Sequence, residues 1–110
     1  MSGSSGGSFG GQFGQEAFEV TCEKLTINTQ LSSPNPTVVS QLSVGCILDI
    51  VQRHQNGLSL TEARYNGNTV GGIASPQIQR MRECMNQGTL YVAQVMSINS
   101  GQVMVRVYAK

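Results

Sequence analysis

The chain has 110 residues, enough for one domain with its own core and too few for two. Only 12% of it is charged, about half the ~25% usual for a soluble domain, and a formal net charge of +1 excludes a generic polyanion or anionic-membrane binder. No apolar run approaches the ~20 residues that span a bilayer, and the start Met1-Ser2-Gly3-Ser4 has neither basic flank nor apolar h-region, so the expectation is a soluble, cytoplasmic protein with no membrane partner.

Taken in chain order, residues 1–16 form a Gly/Ser-rich arm whose composition cannot bury enough surface to offset its ordering entropy. Phe9 and Phe13 interrupt it, and a plain linker has no need of aromatics; they are the expected self-association residues. Residues 17–110 then read as a single small domain. Phe18, Val20 and Cys22 alternate with polar neighbours and the phase slips at Lys24 before Leu25 and Ile27, which predicts a strand with a bulge. Ser32-Ser33-Pro34-Asn35-Pro36 reads as a loop, since proline cannot join a central ladder. Val44 to Val51 is the most apolar segment and predicts a strand buried on both faces, followed by a polar turn over Arg53–Gly57.

Leu58 to Tyr65 alternates again, Asn66-Gly67 is a favoured type I′ hairpin pair, and Thr69-Val70 returns as a short strand. Ser75 as N-cap, Pro76 at the first helical position and Gly88 as the terminating residue bound one helix with Ile78, Met81, Cys84 and Met85 on its buried stripe. Leu90–Ile98 and Val103–Tyr108 close the chain as two strands, with Leu90, Val92, Met96 and Ile98 sharing a face of the first. The expected fold is mainly β, a small partly closed β-barrel of about six strands with one short α-helix in the order β-β-β-β-α-β-β, because closure removes exposed edges.

Three cysteines cannot all pair, and Cys22, Cys46 and Cys84 match no zinc spacing; they read as reduced, buried intracellular thiols. With one histidine and one aspartate, and no nucleophile elbow, zincin or Walker pattern, no catalytic residue, metal site or cofactor is expected. His54 reads as a solvent-exposed turn residue. The charge is uneven: residues 1–49 hold Lys24 against Glu16, Glu19, Glu23 and Asp49, a net −3, while residues 50–110 are net +4 and carry five arginines.

From Leu42 onward the order resembles the HIRAN domain, a β-barrel module that binds single-stranded DNA ends. The likeness is carried by Leu48-Asp49-Ile50-Val51-Gln52-Arg53, by Asn66-Gly67-Asn68-Thr69-Val70-Gly71-Gly72-Ile73, by the helix that follows and by Val92-Ala93-Gln94-Val95. The resemblance implies that a glycine turns the chain into the helix and that Arg53, at the end of an early strand, contacts nucleic acid. It departs where the family has a Pro/Asn/Asp-rich stretch, replaced here by His54-Gln55-Asn56-Gly57-Leu58-Ser59.

Two functions are therefore expected. One is a non-enzymatic module binding single-stranded nucleic acid through Arg53, Tyr65, Arg80, Arg82 and Arg106. The other is a homo-oligomeric or filament-forming subunit whose arm, with Phe9 and Phe13, docks on a neighbouring copy by strand addition or ring insertion.

Overall fold

The computed structural model describes residues 20–110, so the arm with Phe9 and Phe13, and Phe18, lie outside the described residues. Six strands, β1 (Thr26–Gln30), β2 (Ile47–Gln55), β3 (Leu58–Tyr65), β4 (Asn68–Gly72), β5 (Tyr91–Asn99) and β6 (Gln102–Ala109), form one antiparallel sheet in the order β1-β6-β5-β2-β3-β4. Two helices, α1 (Pro36–Val39) and α2 (Ile78–Asn86), complete the described residues.

The hairpins follow from local chemistry. Asn56-Gly57, Asn66-Gly67 and Ser100-Gly101 all take positive φ at both positions, the signature of two-residue type I′ turns whose twist matches that of the strands they join. Gly88, at φ 106°, ends α2: its N–H donates to the Met85 carbonyl at 3.0 Å while Thr89 N–H donates to the Cys84 carbonyl at 3.0 Å, a Schellman cap.

Alternation places Ile27, Leu48, Ala63, Val95, Val103, Val105 and Val107 on one face of the sheet, where all are buried. α2 adds Met81 and Cys84 to the same core. Full burial of each large aliphatic side chain stabilises by about 1.5–3 kcal/mol, so this face carries most of the fold's cohesion.

The sheet is not closed. The chain just after β1 meets β4, the other outer strand, at a single bridge between Ser32 and Gly72, whose N–H groups donate to each other's carbonyls at 2.9 Å. Just beyond, Asn35 N–H donates to the Val70 carbonyl at 2.7 Å, and α1 lies against β4. The glycine pair makes this approach feasible: a Cβ on Gly71 would sit 2.9 Å from the Ser32 carbonyl oxygen and 3.1 Å from the Leu31 Cβ.

Several expectations are corrected. Cys22 and Cys84 are not reduced thiols; they form a disulfide with Cα atoms 5.6 Å apart, leaving Cys46 as the free cysteine. Tied to α2, Val20–Lys24 leaves the sheet and turns through a Lys24 N–H to Thr21 carbonyl bond of 3.0 Å, so β1 starts at Thr26. The proline loop contains a helix as well, because Asn35 caps it by accepting from Thr37 N–H at 3.0 Å and Pro36 sits at its first turn.

β2 is buried on one face only: Leu48 and Ile50 point inward, Ile47 outward. It also runs on through Arg53, His54 and Gln55, which were expected in a turn. A bulge between Val95 and Ser97 reverses the phase of β5, so Ile98 rejoins the inner side and no longer shares a face with Met96, which is exposed; Leu90, just before β5, is exposed and Val92 is buried. Ser75 does not cap α2; the cap position is Gln77, and Ser75 instead accepts from Gln77 N–H at 3.3 Å in the turn before it.

The two glycines are not equivalent. Gly71→Ala drives a methyl into backbone and lowers stability by about 2 kcal/mol in urea denaturation. At Gly72 the nearest atom, at 2.8 Å, is the Ser32 Oγ, which can rotate away, so Gly72→Ala has the smaller effect.

Candidate functional site

Register decides which side chains share the outward face of the sheet. Asn28, Arg106, Gln94 and Ile47 form one cross-strand row over β1, β6, β5 and β2, with Gln30, Met104 and Ser97 in the next. Further along, Val51 pairs with Glu62 and Arg53 with Leu60.

The centre of the charged part is Glu62, whose side chain is only 9% exposed although it lies on the outward face. It accepts from Arg53 Nη2 at 2.7 Å, Arg64 Nη2 at 3.3 Å and Thr69 Oγ1 at 3.3 Å, which joins β2, β3 and β4 through one carboxylate. Burial pushes its pKa up, but the hydrogen bonds from Arg53 and Arg64, with the Arg53 charge, outweigh this and hold it below the ordinary glutamate value.

The five residues expected to bind nucleic acid are not brought together. Arg53 and Arg106 are on the outward face, but on strands with β5 between them, and Arg106 Nε donates to Asn28 Oδ1 at 3.3 Å. Arg80 and Arg82 belong to α2. Arg82 fastens the helix to β3, donating from Nε to Thr61 Oγ1 at 3.1 Å and from Nη2 to the Ser59 carbonyl at 2.9 Å. Arg80 Nη2 donates to the Val20 carbonyl at 3.1 Å and Nη1 lies 3.9 Å from Glu83. Tyr65 packs against the core.

The sequence reading did not anticipate Glu62 and Arg64, nor the apolar corner of the same face. Ile47, Met96 and Met104 are exposed there, and Val44, 65% exposed, precedes Gly45, whose N–H donates to the Val95 carbonyl at 2.8 Å. A signal for the first pair was present: a two-residue turn at Asn56-Gly57 sets Gln55 opposite Leu58, and counting back puts Val51 opposite Glu62 with Arg53 on its diagonal.

Cys46 is half-buried, and the Ser43 backbone N–H at 3.3 Å and hydroxyl at 3.6 Å lower its pKa. His54 Nδ1 is 3.1 Å from Ser59 Oγ, and no carboxylate orients it among the described residues. Among those residues, too, no three of His, Cys, Asp and Glu come together as a metal site, no pocket forms, and no helix is long and apolar enough to cross a membrane. No family model matches the chain, and neither a curated protein nor a solved structure is similar to it.

Because the folded pKa of Glu62 is depressed, its contribution is fully present above the unfolded glutamate value and disappears as pH falls through the folded value. Glu62→Gln therefore destabilises by about 1–2 kcal/mol at neutral pH, and the gap to the native chain narrows in acid; denaturation curves across that range measure it.

Proposed function

We propose that this chain is a non-enzymatic, self-associating subunit that meets a second copy through the outward face of its sheet. One observation carries this reading: that face leaves Ile47, Met96 and Met104 in solvent while its nearest arginine partners are already engaged within the chain. Around those side chains lie the amides Gln30, Gln94 and Asn28 and two charges of opposite sign, Arg106 and Asp49, which can pair across a meeting of two copies. The arm with Phe9 and Phe13 is the second element of the proposal, adding ring contacts on the neighbouring copy. The Cys22–Cys84 bond supports a setting oxidising enough to keep it, in place of the reducing cytoplasm expected from three free thiols.

Light scattering checks this. The native chain has a mass above that of a monomer, and Ile47→Glu with Met104→Glu, or deletion of residues 1–16, reduces it. A native chain that stays monomeric at its highest soluble concentration overturns the proposal.

A second reading, nucleic-acid binding of the HIRAN kind, is favoured by Arg53, Arg64 and Arg106 all standing on the outward face. It predicts affinity for a short single strand that falls steeply with salt and weakens in Arg53→Ala and Arg106→Ala. The absence of binding at low salt ends it.

A further inference from the structure

The segment before β1 is held differently from everything after it. Val20–Lys24 joins no ladder, and its internal bond, Lys24 N–H to the Thr21 carbonyl, does not tie it to the domain. Among the described residues it is fastened by the Cys22–Cys84 disulfide and by three hydrogen bonds, Tyr91 Oη to the Cys22 carbonyl at 2.6 Å, Arg80 Nη2 to the Val20 carbonyl at 3.1 Å and, from the adjoining β1, Thr26 Oγ1 to the Lys24 carbonyl at 3.4 Å. The next residue, Leu25, is buried, and the β1–β6 ladder starts at Thr26.

We propose that the Cys22–Cys84 bond is a dithiol-sensitive latch, which holds Val20–Lys24 against α2 and on reduction releases that segment while the sheet stays assembled. Three single hydrogen bonds, one of them to the adjoining Thr26, do not offset the ordering entropy of the whole segment once the covalent tie is gone. α2 keeps its place without the bond, because Met81 is fully buried and Arg82 still binds Thr61 and Ser59.

The chemistry is thiol–disulfide exchange with a dithiol. Cys84 is fully buried and Cys22 partly exposed, so one thiolate of the reductant attacks Cys22 Sγ. The Sγ–Sγ bond breaks, Cys84 leaves as thiolate and takes up a proton, and a mixed disulfide forms on Cys22. The second thiol of the reductant then displaces Cys22 as a thiol. Two electrons have passed from the dithiol, now an internal disulfide, to the two cysteines.

Hydrogen–deuterium exchange on the full chain, with and without dithiothreitol, tests this. Reduction accelerates exchange at the Lys24 amide, the one in Val20–Lys24 with a backbone acceptor, by at least about tenfold, whereas peptides from β5 and β6 keep their protection. Cys22→Ser exchanges rapidly at that amide in both conditions. The latch is overturned if the Lys24 amide exchanges equally in both states, or if the sheet loses protection along with it. Titration of three free thiols in the air-oxidised chain overturns it as well.

Discussion

Much of this fold depends on how closely the chain after β1 can approach β4 at the other edge of the sheet. Gly71 and Gly72 present no Cβ, so the chain at Leu31 and Ser32 comes within hydrogen-bonding distance of β4 at the point where a side chain would collide. One bridge ties the two edges of the open six-stranded sheet together. The sheet's inner surface is then lined by alternate residues of most strands, and α2 is left to cover what the strands do not. β4, which would otherwise be a naked edge, receives Asn35 and α1.

Register and packing sort the polar groups. Arginine, the main cation of the second half, is used inside the molecule: Arg82 fixes the helix, Arg80 the lead segment, and Arg53 with Arg64 neutralises a nearly buried glutamate. Most of the arginines of the positive half thus become internal ties, and the outward face keeps Arg106 beside exposed aliphatic and thioether groups and amides. That exchange of charge for neutral contact is what moves the functional reading from a polyanion toward another protein surface.

Much of the fold was legible because its signals are local. Asn66-Gly67, the Val103-Val105-Val107 alternation, the stripe of α2 and its Gly88 terminator each need only neighbouring residues to be understood. α1 was legible too, since Asn35 before Pro36 is a helix start, but two prolines close together read more readily as a loop. The disulfide was not: its partners are 62 positions apart, and only the folded path brings them together. The bulge in β5 was hidden for a different reason, as one additional residue exchanges the two faces of a strand and leaves its composition unchanged. Of the site, Arg106 was legible as the outward partner of the Val103-Val105-Val107 alternation, while Arg53 was expected in a turn, and the buried acid on β3 required register as well as pattern.

The pairing of β1 with β6 has a bearing on synthesis. Hairpins β2–β3 and β3–β4 form between sequence neighbours and can assemble as soon as they leave the ribosome. β1, made before them, has its whole ladder with the strand made last, Thr26 lying opposite Tyr108. Its apolar Ile27 must therefore wait through nearly the entire translation of the domain before burial, so the growing chain carries an unpaired strand that a chaperone or a neighbouring nascent chain can reach.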